Sequence, residues 1–172
     1  MSGPLSIEEV NALTAGEFTL QFGDIAEHSI WVAEKADFAR PFPDHDKMVL
    51  AFQRAVLDAD EHHQMQLILA HPDLAGRAAL MDQMADESKR EQKGAGLDTL
   101  NNEEFAQFHK LNDAYRLRFG FPFIFAVTGA NKYQILESFS NRIDGTIEEE
   151  RLTALVQILR IIRFRLITRV SS

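Results

Sequence analysis

His71 and Pro72 are the first residues whose types and position point to chemistry. The apolar run from Leu67 to Ala70 predicts the end of a helix. Pro72 would stop that helix, because it lacks a backbone donor and disfavours helical geometry at the residue before it. His71 is therefore expected at a helix C-terminus, where an imidazole is stabilised as its cation and still exchanges protons near neutral pH. The alternative is that His71 only caps the helix.

Ser88, Glu91 and Gln92 form a second polar group. Their spacing of i, i+3 and i+4 places all three on one face if residues 86–95 are helical. A hydroxyl, a carboxylate and an amide would then point the same way, as they do in a small polar active site. The alternative is an ordinary solvated face, because basic residues lie beside all three.

Arg165 lies on the apolar side of the last predicted helix. At about 100° per residue, one arc of this helix contains Leu155, Ile158, Leu159, Ile161, Ile162 and Leu166. Arg165 falls inside the arc, whereas Arg160 points the opposite way. A buried guanidinium needs a partner, since it does not escape by deprotonation. That partner is either a substrate anion or a structural carboxylate. Helix C-terminus complementation explains Arg160 and Arg163 but explains Arg165 poorly.

Helical patterns extend along the whole chain. Ser6-x-x-Glu9 and Thr146-x-x-Glu149 are capping boxes that open the first and last helices. Asn102 is a candidate N-cap and Gly145 a candidate stop. Further helices are expected near residues 25–39, 45–59, 60–70, 73–84, 86–95, 102–118 and 131–143. We expect an all-α fold, a single compact domain of about eight to nine helices that covers residues 1–172.

Residues 121–127, Phe-Pro-Phe-Ile-Phe-Ala-Val, are the exception to the helical pattern. This run resembles a strand, but Pro122 argues against a central one. We interpret it as a buried extended segment. Its backbone groups have no ladder and need other partners. The substrate is one candidate partner for these backbone groups.

Charge and composition exclude several classes of function. The chain has 18 basic and 26 acidic side chains and a net charge of −8, which argues against nucleic acid or an anionic membrane as the main partner. It has no cysteine, so thiolate nucleophiles, disulfides and iron–sulfur clusters are excluded. No apolar run approaches the ~20 residues of a membrane span.

Two other classes of protein remain to be weighed. A metal site would use Glu61, His62 and His63, but adjacent histidines point about 100° apart on a helix and do not readily bind one ion. A non-catalytic interaction module would use Phe38 and Phe42. An ordinary core explains those two rings equally well.

Several separated blocks of the sequence resemble the OHCU decarboxylases. The blocks are Leu-Ala-His-Pro-Asp-Leu-Ala-Gly at 69–76, Ser-Lys-Arg-Glu-Gln at 88–92, Gly-Ala-Gly-Leu at 94–97, Phe105, Leu-Asn-Asp-Ala-Tyr at 111–115, Phe-Gly-Phe-Pro-Phe at 119–123 and Ile-Ile-Arg-Phe-Arg-Leu at 161–166. The resemblance is densest from about residue 65 to residue 166. The order and spacing of the blocks make it specific.

The resemblance implies an enzyme that converts 2-oxo-4-hydroxy-4-carboxy-5-ureidoimidazoline (OHCU) to (S)-allantoin in urate breakdown. It implies three catalytic residues, His71, Glu91 and Arg165, and no metal or cofactor. The substrate-binding residues that it implies are Pro72, Ser88, Gln92, Phe123, Ile124, Phe125, Ala126 and Val127. The division of acid and base roles between His71 and Glu91 stays open.

The resemblance also implies a homodimer that binds OHCU and (S)-allantoin. Members of this family in eukaryotes are often peroxisomal, but the ending Val170-Ser171-Ser172 is not a signal of the Ser-Lys-Leu type. The N-terminus has neither the basic nor the apolar region of a secretory signal. We therefore expect a cytoplasmic, bacterial enzyme.

Overall fold

Nine helices occupy the part of the chain that the computed structural model describes, residues 3–76 and 85–171. They are α1 Ile7–Ala12, α2 Ala15–Phe22, α3 Trp31–Asp37, α4 His45–Leu57, α5 Glu61–Ala70, α6 Asp86–Gly94, α7 Asn102–Phe119, α8 Lys132–Arg142 and α9 Ile147–Arg169. The predicted all-α class is confirmed. In the same residues, no helix is long and apolar enough to cross a membrane.

Side-chain caps fix where several helices begin. The capping boxes at Ser6 and Thr146 form as predicted, with the Glu9 amide 3.2 Å from the Ser6 hydroxyl and the Glu149 amide 3.3 Å from that of Thr146. Helix α7 is capped by Asn101 and not by Asn102. The Asn101 side chain accepts from the Glu104 amide at 2.9 Å, and the Glu104 carboxylate accepts from the Asn101 amide at 3.0 Å.

Two predicted helices differ from the observed ones, and one helix was missed. The helix expected at 25–39 starts only at Trp31, because His28 has a left-handed backbone with φ of 45° that interrupts helical geometry. Helix α2 was missed, although Thr14-x-x-Glu17 forms a capping box. Of the helix expected at 73–84, residues 73–76 are not helical and the remainder lies outside the described residues.

Met1–Ala70 and Leu159–Ser172 together form one compact unit. Its core contains the Phe18 ring, whose centroid lies 4.9 Å from that of Phe22, 6.0 Å from that of Phe52 and 6.1 Å from that of Phe42. Phe42 is thus a core residue, whereas Phe38 is 89% exposed. An isolated parallel bridge between Leu5 and Val170 is the one β pairing within the described ranges.

His71–Ile158 form a second compact unit. Its aromatic core surrounds the fully buried ring of Tyr115. The ring centroids within 6 Å of it belong to Phe119 at 4.5 Å, Phe123 at 5.4 Å, Phe121 at 5.9 Å and Phe139 at 5.9 Å. Gly120, with φ of 80°, ends α7 in the left-handed conformation and leads into the irregular segment 121–127. That the whole chain is a single domain stays a prediction.

Candidate active site

His71 directly follows the last residue of α5, as the sequence predicts. It is the first residue of the second unit, and only 6% of its surface is exposed. A buried histidine at this place can act in catalysis or cap the helix, so the catalytic role of His71 stays a prediction.

The backbone after His71 and Pro72 is held by the side chain of Gln92. The Ala75 amide donates to Gln92 Oε1 at 2.9 Å, and Gln92 Nε2 donates to the Asp73 carbonyl at 3.4 Å. Ala75 has φ of 52°, a left-handed conformation that costs energy for a residue with a Cβ. Gln92 thus offsets part of that cost and fixes the loop that begins at His71.

Two residues of α7 hold the same loop. The Asn112 amide nitrogen donates to the Leu74 carbonyl at 2.8 Å, and Arg116 Nε donates to the Asp73 carboxylate at 2.9 Å. Asn112 is 3% exposed. Its Oδ1 has no hydrogen-bond partner among residues 3–76 and 85–171. The loop is therefore anchored from both α6 and α7.

Helix α6 buries polar residues only. Its nine residues include no large apolar side chain, and the two that are buried are Ser88 and Gln92. Ser88 is 5% exposed, Gln92 is 6% exposed and Glu91 is half-buried. An ordinary surface helix buries a stripe of apolar side chains, whereas α6 buries polar side chains. The solvated-face alternative is wrong for Ser88 and Gln92.

Segment 121–127 obtains hydrogen-bond partners from side chains, as its lack of a ladder requires. Arg142 Nη1 donates to the Ile124 carbonyl at 2.7 Å. The Ala126 amide donates to Gln157 Oε1 at 2.9 Å. The five residues from Phe123 to Val127 are buried except Phe125, which is half-buried.

The arginine that holds this segment belongs to a buried polar network. Arg142 Nε and Nη2 lie 3.0 and 2.9 Å from Glu150 Oε2, and the Tyr115 hydroxyl donates to the same oxygen at 2.5 Å. Burial raises the pKa of Tyr115, and the adjacent Glu150 carboxylate raises it further. Tyr115 therefore stays protonated and keeps donating to Glu150 at physiological pH.

Arg165 lies in the first unit and is 3% exposed, which confirms that it is buried on the apolar arc of α9. Both of its terminal nitrogens lie 3.3 Å from Glu27 Oε2, and Nη1 donates to the Ile25 carbonyl at 3.1 Å. Glu27 is 1% exposed. Of the two partners that the sequence leaves open, a structural carboxylate is therefore present.

No group of three or more histidine, aspartate or glutamate side chains in the described ranges is arranged to hold a metal ion. His63 Nδ1 lies 2.8 Å from Asp60. Its ring centroid lies 6.0 Å from that of His62, with the two rings nearly perpendicular.

Comparison with known proteins decides the family. The model of the OHCU decarboxylase family matches residues 11–167. The chain belongs to the OHCU decarboxylase family. A relative from Haloferax volcanii, 2-oxo-4-hydroxy-4-carboxy-5-ureidoimidazoline decarboxylase, is 42% identical over 98% of both chains. A putative enzyme of the same name from Homo sapiens is 33% identical over 94% of both chains.

Larger relatives contain the OHCU decarboxylase sequence as one part. The uric acid degradation bifunctional protein PucL of Bacillus subtilis is 38% identical over 94% of this chain, which covers 32% of that protein. A crystal structure of (S)-allantoin synthase superimposes with a TM-score of 0.80 at 28% identity. The match covers 98% of this chain and 55% of that one. The family resemblance of the sequence is thereby confirmed.

Sequence reasoning missed several residues that position the OHCU decarboxylase motifs. Asn112 and Arg116 are spaced i, i+4 on α7, which is a detectable signal that two polar side chains share a face. Glu27, Arg142 and Gln157 carry no comparable local signal, because each meets its partner far along the chain.

Proposed function

We propose that this protein decarboxylates OHCU to (S)-allantoin in urate breakdown. Its family, and relatives of that name that match along nearly their whole length, support the assignment. The single structural observation that carries it is α6, a helix whose two buried residues are the polar Ser88 and Gln92. Burying polar groups without partners costs free energy. Gln92 avoids this penalty by hydrogen bonding to the loop that follows His71, so α6 places buried polar side chains beside that loop.

The substrate supplies its own electron sink. OHCU carries its carboxylate on a carbon that also bears a hydroxyl, next to a conjugated carbon–nitrogen double bond. When the carbon–carbon bond breaks and carbon dioxide leaves, the electron pair flows into that conjugated system. The enzyme then needs only to hold the carboxylate perpendicular to the ring and to deliver a proton to one face. We predict that no metal or cofactor is required.

His71 and Glu91 are the proposed acid–base residues. His71 contacts the hydroxyl and carboxylate end of the substrate, and Glu91 accepts hydrogen bonds from ring or ureido nitrogens. The burial of His71 and the half-buried position of Glu91 support these roles. Proton transfer by a positioned side chain of this kind contributes about 10²–10⁴-fold. Delivery of the proton from one side accounts for the S configuration of the product.

Ser88, Pro72 and Gln92 orient the substrate in this proposal. For Gln92 the structure adds a second contribution, since its amide already holds the loop that begins at His71. Residues Phe123 to Val127 offer backbone groups to the ligand. Arg165 stabilises negative charge on a ring oxygen, and its Glu27 partner sets the plane of the guanidinium.

We also propose that the enzyme is a cytoplasmic homodimer. The support is the family resemblance together with similarity to prokaryotic relatives. Sedimentation equilibrium of the purified protein measures the assembly directly. A mass of one chain at micromolar concentration would contradict the dimer.

The decisive assay follows the product. Fresh OHCU is made in situ from urate by urate oxidase and hydroxyisourate hydrolase, and circular dichroism records (S)-allantoin with and without this protein. We expect (S)-allantoin to appear faster, and the His71→Asn variant to abolish most of the gain. An unchanged rate with the folded wild-type protein would contradict the proposed function.

A further inference from the structure

Two side chains fix two consecutive peptide planes within segment 121–127. Arg142 holds the plane between Ile124 and Phe125 through the Ile124 carbonyl, at 2.7 Å. Gln157 holds the plane between Phe125 and Ala126 through the Ala126 amide, at 2.9 Å. The peptide on each side of Phe125 is thus fixed by one directed hydrogen bond.

Peptide planarity determines where the remaining groups of these planes point. In a trans peptide the carbonyl and the following N–H point in opposite directions. The Phe125 N–H therefore points away from Arg142, and the Phe125 carbonyl points away from Gln157. Neither Phe125 group forms a hydrogen bond with residues 3–76 or 85–171. One residue thus presents a donor and an acceptor to whatever lies beside it.

One face of α9 supplies both Gln157 and the Glu150 carboxylate that holds Arg142. Glu150 and Gln157 are seven residues apart on this helix, a separation that returns to the same face after two turns. Gln157 acts directly, whereas Glu150 acts by fixing Arg142 with contacts of 2.9 and 3.0 Å. The Arg142 guanidinium also lies over the Phe123 ring, 4.3 Å from its centroid. Glu150 and the Phe123 ring thus both hold the guanidinium beside the Ile124 carbonyl.

We propose that Arg142 and Gln157 are positioning residues that present the Phe125 N–H and carbonyl to the ureide part of the ligand. This inference rests on the proposed function. A ureido group or a ring urea displays a carbonyl and an N–H on one edge, which is the complement of the Phe125 pair. The Phe125 N–H donates to the ligand carbonyl, and the Phe125 carbonyl accepts from the ligand N–H. Neither Arg142 nor Gln157 touches the reacting atoms.

Gln157 offers the sharper test, because one variant weakens its acceptor and another keeps it. Gln157→Met preserves the length of the side chain but replaces the amide oxygen with a thioether sulfur, which is only a weak acceptor for the Ala126 amide. Gln157→Glu retains an oxygen there, and the half-buried position tolerates the charge. The control is Gln53→Met, which removes a glutamine bonded to the Leu159 carbonyl at 3.4 Å.

Steady-state kinetics on OHCU and calorimetric titration with (S)-allantoin provide the measurements. We expect Gln157→Met to raise both KM and the allantoin Kd about tenfold, the effect of misplacing roughly one ligand hydrogen bond, while kcat changes less than about threefold. Gln157→Glu should return both values to within about threefold of wild type. Gln53→Met should change neither value. Unchanged KM and Kd in Gln157→Met would overturn the inference, as would equal losses in Gln157→Met and Gln157→Glu.

Arg142 supplies an independent variant. Arg142→Lys keeps a charge beside Glu150, but a single ammonium cannot reproduce the fork that reaches both Glu150 and the Ile124 carbonyl. We expect a rise in KM that matches Gln157→Met in direction. The control is Arg118→Lys, at an exposed arginine that donates to the Gly145 carbonyl at 3.1 Å. A KM that is unchanged in Arg142→Lys, or raised equally in Arg118→Lys, would contradict the assignment.

The wild-type protein separates this inference from the proposed function. If wild type accelerates (S)-allantoin formation but the Gln157 variants do not differ from it, the inference fails and the function stands. If wild type is inactive on OHCU, the function fails. Titration with hydantoin, a minimal ring urea, then tests the inference alone. Binding that weakens in Gln157→Met supports it, and equal binding or none overturns it.

Discussion

The molecule contains two buried arginine–glutamate pairs built from the same parts but with different geometry. In each, the arginine also donates to an isoleucine carbonyl, that of Ile124 for Arg142 and that of Ile25 for Arg165. Arg142 meets Glu150 at 2.9 and 3.0 Å. Arg165 meets one oxygen of Glu27 at 3.3 Å from each terminal nitrogen.

Because the two pairs differ in geometry, we assign different roles to the two arginines. Arg142 is fixed by short contacts, and its carboxylate partner also accepts from Tyr115, so we assign it a positioning role. Arg165 is more deeply buried, with a side chain 2% exposed against 13% for Arg142, yet its contacts to Glu27 are longer. Both arginines are buried and paired with a glutamate, so burial alone does not assign a role to either one. Matched variants test the roles that we propose.

The largest loss of activity is expected for variants of His71 and Glu91. The losses expected for variants of the two arginines are smaller. If these residues handle the proton or position the leaving carboxylate, His71→Asn and Glu91→Ala should each lower kcat by roughly a hundredfold or more. The helical circular dichroism signal should stay unchanged. Their combined loss should be smaller than the product of the single losses, since residues that act as a unit are not additive. Normal turnover in His71→Asn would reduce that residue to a helix cap.

A somewhat smaller loss is expected for Arg165→Lys. Lysine keeps the charge but loses the planar bidentate geometry. We predict that this variant folds with a near-normal melting temperature yet loses most of its activity. (S)-Allantoin should no longer raise that temperature, because a ligand stabilises only the state that binds it. Arg142→Lys differs in that its defect should fall mainly on KM.

The control for Arg165 is Arg160→Lys, which changes an exposed residue on the opposite face of α9. Neither its melting temperature nor its activity should change. Two outcomes would assign Arg165 to the core alone: full activity in Arg165→Lys, or a large loss of stability with normal turnover per folded molecule.

Smaller effects on activity are expected for variants of Glu27 and Glu150, the carboxylate partners of the two arginines. Glu27→Gln and Glu150→Gln each remove a carboxylate charge that pairs with a buried arginine, so each should lower the free energy of unfolding by about 3–5 kcal/mol. Urea denaturation measures this loss. The kinetic consequences should diverge. Glu150→Gln should mainly raise KM through Arg142, and Glu27→Gln should mainly lower kcat through Arg165. The opposite division would exchange the roles that we assign to the two pairs.

Local sequence pattern predicted the parts of this site that depend on one helix at a time. The position of His71 after α5, the shared face of Ser88 and Gln92, and the burial of Arg165 all follow from helical periodicity and from Pro72. Each needs only the few residues on either side to be recognised.

Contacts between distant segments were beyond the reach of that reasoning. Glu27 meets Arg165 across 138 residues, and Gln92 meets Ala75 across 17 residues. No periodicity relates such residues, because their pairing depends on how the helices pack. The family resemblance predicts that Gln92 contacts substrate. It does not predict the hydrogen bonds of Gln92 with the Asp73 carbonyl and the Ala75 amide.

The smallest expected effect is none at all, on removal of metal ions. A metal ion at a decarboxylase site stabilises the negative charge left when carbon dioxide departs. In the mechanism that we propose, that task falls to the conjugated ring of the substrate and to the Arg165 guanidinium, so a second cation would add little. We predict that dialysis against EDTA leaves kcat and KM unchanged for wild type. Loss of activity that returns with zinc, manganese or magnesium would contradict this mechanism. It would transfer the role of Arg165 to an ion and direct attention to Glu61, His62 and His63.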